Sequence, residues 1–174
     1  MRILVFAHRK DTELARRLNF TYVDNVDNLL SESDIVSLHI PYNKENHHFI
    51  DTEKLNLMKK TALLINTARG GVVDTVALVQ ALRSGRLAGA ALDVIESEYL
   101  IDSDDLIDLA MKQDDVAKST IRHALALLAL ERMPNVIITN HNAYNTHEAI
   151  GRINYMTLEN IFGFYRGEKI YKVD

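Results

Sequence analysis

The segment LLINTARGG, residues 63–71, runs from an apolar strand into a polar turn. Asn66 and Thr67 end the apolar run, and Arg69 stands directly before Gly70 and Gly71. An arginine side chain keeps its positive charge at any physiological pH. A buried strand that ends in this way therefore directs a permanent cation to one edge of a sheet.

Apolar runs of the same kind recur along the chain and alternate with segments of helical periodicity. The predicted strands are residues 2–7, 35–40, 62–66, 88–94 and 135–139, with a weaker one at 20–23. Several intervening segments open with Asp or Thr as a helix cap, and Gly85 closes one of them. This order predicts an α/β fold, a Rossmann-like parallel sheet whose two faces are covered by helices.

Composition limits the function. A chain of 174 residues with 47% apolar and 25% charged residues is typical of one globular domain. The net charge of −4 is spread along the chain, so we expect neither nucleic acid nor a membrane as a partner. The chain contains no cysteine, which excludes disulfides, thiolate metal sites and a cysteine nucleophile, and a cytoplasmic location fits.

Polar side chains follow four of the predicted strands. In a parallel sheet the carboxyl ends of the strands share one rim, where ligands bind. The residues that reach this rim are His39, Pro41, Arg69, Asp93, Glu96, Glu98 and His141. Taken alone, Arg69 is more often a surface ion-pair residue, Glu98 is usually a solvated loop charge, and His141 is as often a packed histidine as a catalyst. Only their common rim favours a site.

An arginine, a histidine and a carboxylate at one rim suit a particular chemistry. The arginine can bind a substrate carboxylate through two parallel hydrogen bonds. The histidine can exchange a proton with an alcohol or carbonyl, and a neighbouring carboxylate would favour its protonated form. Parallel sheets commonly bind nicotinamide dinucleotides. The arginine, histidine and carboxylate together therefore predict hydride transfer to a 2-oxo acid.

Four segments carry a family resemblance: SLHIP, LLINTARGGVVDTVALVQAL, LAGAALDVIESE and MPNVIITNHNAYNTHEAI. In this order they resemble the D-isomer-specific 2-hydroxyacid dehydrogenases, most closely the D-lactate dehydrogenase branch. The resemblance implies NAD or NADP as cofactor, a small 2-oxo or 2-hydroxy acid as substrate, and a homo-oligomer, commonly a dimer.

The resemblance also assigns roles to residues of this chain. It implies that Arg69 binds the substrate carboxylate, that His141 is the acid/base and that Glu98 pairs with it. Asp93 would hold the nicotinamide carboxamide. The other residues that would line the cofactor cleft are His39, Ile40, Pro41, Thr67 and Ala68.

The chain departs from the family pattern at the pyrophosphate site. Its first glycine is Gly70, so it has no G-x-G-x-x-G loop. We expect residues 1–174 to form a partial dinucleotide-binding domain that lacks the first strand of the fold and its loop, leaving unpaired strand edges or a rearranged pairing. Residues 142–174 would form a C-terminal helix that returns toward an absent substrate domain.

Two smaller departures concern the cofactor and the catalytic histidine. Ala7, His8, Arg9 and Lys10 stand where NAD-preferring relatives usually place an aspartate, so His8 and Arg9 are candidates for binding a 2′-phosphate. A solvated basic turn is the equal alternative. Asn140 replaces the proline that usually precedes the histidine, which loosens the backbone before His141.

The histidines outside this set predict no metal site. His47, His48 and His123 have no acidic or thiolate neighbour at ligand spacing in the sequence, so we interpret them as structural or solvated. His123 belongs to the segment STIRHALALLALERM, which is apolar nearly all round and favours a core helix over a subunit contact.

Three functions follow as hypotheses. The first is a nicotinamide-dependent reduction of a small 2-oxo acid, with the 174-residue chain alone expected to be inactive. The second is a nucleotide-binding module without turnover, and the third is an interaction protein that uses its exposed sheet edges. The choice between NAD and NADP, the particular acid and the oligomeric state stay open.

Overall fold

The computed structural model describes residues 1–96 and 115–168, and the chain forms two compact units, Met1–Thr139 and Asn140–Asp174. The strands are β1 (Leu4–Val5), β2 (Thr21–Tyr22), β3 (Ile35–Leu38), β4 (Leu63–Asn66), β5 (Gly89–Leu92) and β6 (Val136–Ile138). The helices are α1 (Thr12–Leu18), α2 (Val26–Glu32), α3 (Thr52–Leu57), α4 (Thr75–Arg83), α5 (Asp115–Glu131) and α6 (His147–Tyr165). Two 3₁₀ turns cover Lys44–Asn46 and Gly70–Val72.

The predicted parallel α/β architecture is confirmed. All six predicted strands are present, and every pair of neighbouring strands is parallel. The strands divide into a two-stranded sheet, β1-β2, and a four-stranded sheet in the order β3-β4-β5-β6. Among the described strands β1 pairs only with β2 and β3 only with β4, so each sheet keeps unpaired edges.

The helix caps predicted from the sequence are also confirmed. The side chain of Asp11 accepts a hydrogen bond from the backbone N–H of Leu14, and Asp51 and Asp74 cap α3 and α4 in the same way. Each cap satisfies a backbone donor that the first turn of a helix leaves free. After α4, Gly85 adopts φ 68°, a left-handed conformation that ends the helix at little steric cost.

The core lies on one face of the four-stranded sheet. Val36, Leu38, Leu64 and Leu92 point into it, together with buried leucines from α2, α3, α4 and α5. In α5 these are Leu127 and Leu130, whereas Leu125 is 60% exposed, so the core interpretation holds for one side of that helix.

The prediction that helices cover both faces of the sheet is wrong for the described residues. Ile35, Leu63 and Ile137 alternate with the core residues along their strands, and all three stay exposed. The reason is that α2, α3, α4 and α5 all contribute to a single core.

In the part of the chain that the structure describes, no helix is both long and apolar enough to span a bilayer.

Adjacent residues of β4 provide a test of this arrangement. Leu64 is completely buried, whereas Leu63 is 41% exposed. We expect Leu64→Ala to lower the free energy of unfolding by about 2–5 kcal/mol, because it leaves a cavity in the core. Leu63→Ala should cost about 1 kcal/mol or less. Urea unfolding of both variants measures this, and equal losses would contradict the one-sided core.

Candidate functional site

The carboxyl ends of the four strands meet at one rim. Leu38, Asn66, Leu92 and Ile138 are aligned in register across β3, β4, β5 and β6. The residues that directly follow these strands therefore lie side by side. This places the segments after positions 38, 66, 92 and 138 at one edge of the first unit.

The turn that carries Arg69 is held by Asn66, which is 1% exposed. Its side-chain oxygen accepts from the N–H of Ala68 at 3.1 Å, and its amide donates to the carbonyl of Arg69 at 3.1 Å. The backbone carbonyl of Asn66 accepts from the N–H of Asp93 at 2.9 Å. One buried amide thus fixes the turn, and its backbone ties that turn to the end of β5.

Arg69 itself is exposed at the rim. Its backbone precedes the 3₁₀ turn Gly70–Val72, and its Nη1 donates to the carbonyl of Ala68 at 2.6 Å. Among the described residues, no carboxylate lies within ion-pair distance of this guanidinium. Most of its five N–H donors are therefore available for a carboxylate ligand.

Gly70 allows the turn to touch the segment after β5. A Cβ at this position would lie 2.3 Å from the carbonyl carbon and oxygen of Ile95 and 2.5 Å from the nitrogen of Glu96. These distances leave no room for a side chain, and backbone atoms cannot swing away. The close contact fixes the Arg69 turn against residues 95 and 96.

Asp93 lies at the end of β5 with only 5% of its surface exposed. It accepts a short hydrogen bond from the hydroxyl of Thr139, the first residue after β6. A buried carboxylate requires such partners because burial without them is costly. The rim therefore presents an acceptor group that is fixed in place beside the end of β4.

The other cofactor candidates of the rim follow β3 and β4. His39 is exposed and its Nε2 lies 2.9 Å from the hydroxyl of Ser37, whereas Ile40 packs against the core. Pro41 is exposed and its carbonyl accepts from the side chain of Asn46. Thr67 is exposed and Ala68 half-buried within the Arg69 turn.

His8 and Arg9 are exposed after β1. The next residue, Lys10, pairs with Asp24, the second residue after β2. The hydrogen bond from Lys10, and then its charge, hold the pKa of the Asp24 carboxyl below its usual value. This pairing neutralises one of the basic groups and leaves Arg9 as the cation of this turn.

The two remaining catalytic candidates are not placed beside Arg69 by the described structure. Glu98 lies outside the described residues. His141 belongs to the second unit, where its backbone adopts φ 49° and its ring lies 6.4 Å from that of Tyr144. His141 thus takes up a left-handed backbone conformation directly after Asn140.

Sequence reasoning missed several residues of the rim and its surroundings. Asn66 and Thr139 were recognised as strand ends but not as the groups that fix Arg69 and Asp93. Glu96 contacts His48 at 2.9 Å and His123 at 3.3 Å, although these residues lie far apart in the sequence. Only the polar character of a buried strand end, as in Asn66, could have signalled such a role.

Known proteins are similar to this chain in sequence. Residues 1–143 match the family model described as D-isomer specific 2-hydroxyacid dehydrogenase, NAD binding domain. The chain is 42% identical over 155 residues to a D-specific alpha-keto acid dehydrogenase of Enterococcus faecium, covering 89% of this chain and 44% of that protein. A glyoxylate reductase of Korarchaeum cryptofilum is 38% identical over 168 residues, covering 97% and 43%.

Solved structures of D-lactate dehydrogenases are also similar to this chain. D-lactate dehydrogenase with NAD⁺ from Lactobacillus jensenii superimposes with a TM-score of 0.81 at 32% identity, covering 99% of this chain and 48% of that one. The enzyme of Aquifex aeolicus, complexed with NAD and lactic acid, gives 0.78 at 39% identity, covering 97% and 47%. The chain thus spans a little less than half the length of the proteins it matches.

The contact at Gly70 generates a prediction. Gly70→Ala should lower the free energy of unfolding by about 1–3 kcal/mol, because the new methyl group overlaps the backbone at residues 95 and 96. Gly151→Ala is the matched control, since a Cβ there meets nothing within 4 Å and alanine favours the helix by about 0.5–1 kcal/mol. Thermal melting compares the two, and a Gly70→Ala protein as stable as the parent would refute the contact.

Proposed function

Because the chain belongs to the D-isomer-specific 2-hydroxyacid dehydrogenase family, we propose that it is the cofactor-domain part of an enzyme that reduces a small 2-oxo acid to a D-2-hydroxy acid, and the reverse. The observation that carries this proposal is the exposed guanidinium of Arg69, which has no carboxylate partner among the described residues and whose backbone Asn66 fixes at the rim. A permanent cation in this position suits the carboxylate of such an acid.

Arg69 would bind the substrate carboxylate through two parallel hydrogen bonds and so fix the plane of the 2-oxo group. His141 would give its proton to the carbonyl oxygen during reduction and take it back during oxidation. Glu98 would pair with this histidine and orient its ring. The roles of Glu98 and His141 rest on the family motif, which this chain retains at both positions.

The residues of the rim fit the nicotinamide end of a dinucleotide. When bound, NAD(H) or NADP(H) supplies or accepts the hydride. Asp93, held by Thr139, would accept a hydrogen bond from the carboxamide, and residues 39–41, 67 and 68 would border the ring. His8 and Arg9 would lie at the adenosine end, where Arg9 supports tolerance of the 2′-phosphate of NADP(H). The 174 residues contain no Gly-rich loop to bind the pyrophosphate.

A nucleotide-binding or interaction module without turnover is the second candidate. The lack of a G-x-G-x-x-G segment in these residues favours it, because the pyrophosphate would lose its usual backbone donors. The unpaired edges and exposed sheet face would then serve for association, whether with a second copy or another protein. Retention of Arg69, Glu98 and His141 supports the first candidate instead.

Arg69→Lys tests the substrate role. The assay uses a chimera in which the amino-terminal part of the Enterococcus faecium relative precedes this chain. Lysine keeps the charge but loses the planar fork, so we expect kcat/KM for pyruvate to fall roughly 10- to 100-fold, as for the loss of one charge-assisted hydrogen bond. The melting temperature should not change.

Arg83→Lys, on the exposed side of α4, is the matched control and should leave kcat/KM unchanged. An Arg69→Lys chimera that is as active as the parent would remove the substrate role of Arg69. If the unsubstituted chimera is itself inactive, the second candidate, a binding or interaction module without turnover, is favoured.

The 174-residue chain by itself should show no measurable pyruvate reduction. These residues contain no Gly-rich loop, so the pyrophosphate loses the backbone N–H donors that usually bind it. Calorimetric titration with NADH and NADPH should give only weak binding, and light scattering should show self-association through the unpaired edges. Micromolar dinucleotide binding by a monomer would contradict this expectation.

A further inference from the structure

A cluster of histidines and a carboxylate lies beside the rim but takes no part in the proposed reaction. One nitrogen each of His47 and His48 and one oxygen of Glu96 all lie within 4.8 Å of one another. Nε2 of His48 is 2.9 Å from both oxygens of Glu96. Nε2 of His123 approaches the same carboxylate at 3.3 Å.

We propose that His47, His48 and Glu96 bind one divalent transition metal ion of the Zn²⁺ type. Two imidazoles and one carboxylate are a ligand set that zinc accepts, with a fourth position left for water. In a tetrahedral site with bonds of about 2.0–2.2 Å, neighbouring ligand atoms lie about 3.4 Å apart. In the cluster, Nε2 of His48 is 2.9 Å from Glu96 and all three ligand atoms lie within 4.8 Å of one another, so side-chain shifts of about 1 Å would complete the site.

The surroundings of the cluster orient its rings. The hydroxyl of Tyr42 lies 3.2 Å from Nδ1 of His47, and the ring of His47 stacks on that of His48 at 3.8 Å. Nδ1 of His48 faces the carboxylate of Asp74 at 4.0 Å. A polar group behind each ligating imidazole is the usual arrangement at protein metal sites, because it fixes the ring and raises its basicity.

The backbone of His48 is held in an uncommon conformation. Its φ is 52°, in the left-handed region that few residues other than glycine occupy. Its N–H donates to the carbonyl of Gly71 at 2.8 Å, which fixes this conformation against the turn after Arg69. In this conformation the Nε2 of His48 lies 2.9 Å from the carboxylate of Glu96.

The charge of the cluster and its accessibility also suit a bound cation. The side chain of Glu96 is only 14% exposed, so its negative charge is poorly solvated and favours a nearby cation. With both imidazoles neutral, the three ligands carry one negative charge. A surface pocket of about 290 Å³ borders the cluster at His48 and is also lined by Asp74 and His123.

A metal ion here would connect three segments of the chain. His47 and His48 follow the turn after β3, His48 is bonded to the turn after β4, and Glu96 follows β5. The ion would therefore tighten the contact between Gly70 and residues 95–96, on which the position of Arg69 depends. The site does not rest on the dehydrogenase assignment.

The test is calorimetric titration of the 174-residue chain with ZnCl₂ at neutral pH, after treatment with a chelator and without a polyhistidine tag. We expect one ion per chain with micromolar or tighter affinity, and a higher melting temperature with Zn²⁺. His47→Gln, His48→Gln and Glu96→Gln should each weaken binding by more than about 10-fold, since even partners behind the ligands contribute that much. Co²⁺ should give the visible absorption of a tetrahedral site.

His147→Gln is the matched control, because His147 is exposed at the start of α6 in the second unit. It should bind Zn²⁺ like the parent. His47 is also exposed, so His47→Gln keeps the test decisive if Glu96→Gln does not fold. No Zn²⁺ binding by the parent, or undiminished binding by folded His47→Gln, would overturn the site and leave Glu96 as a carboxylate bonded to two histidines.

Discussion

The hydrogen bonds of Asn66 determine the geometry of the rim. Its side chain accepts from Ala68 and donates to the carbonyl of Arg69, while its backbone carbonyl accepts from the N–H of Asp93. These bonds join the ends of β4 and β5 directly, with no flexible side chain between them. Because Asn66 is buried, breaking them would leave amide groups unsatisfied in the core, at a cost of about 1–3 kcal/mol for each group. The guanidinium of Arg69 is therefore presented from a rigid base.

Local features of this structure could be predicted from the sequence. The caps at Asp11, Asp51 and Asp74 depend on residues three positions away, so the sequence contains all the information that they require. The same holds for the apolar runs that form the strands. The rim itself follows from topology, because parallel strands end on one side, which is why Arg69 and Asp93 could be assigned together.

Features that depend on distant contacts could not be predicted. His48 and Glu96 are 48 residues apart, and no spacing in the sequence indicates that the segments after β3 and β5 bring them together. The exposed face of Ile35, Leu63 and Ile137 was missed for a related reason. An apolar residue on a strand shows that the face needs cover, but not which part of the chain provides it.

The central claim is that Arg69 meets the carboxylate of a 2-oxo acid. Its most direct test is an NMR titration of the NADH-bound chimera with oxamate, a non-reacting analogue of pyruvate. The Nε–H signal of Arg69 is assigned by its loss in Arg69→Lys. A saturable shift of this signal, with the signal of Arg83 unchanged, is the predicted result. Saturable oxamate binding that leaves the Arg69 signal in place would contradict the account.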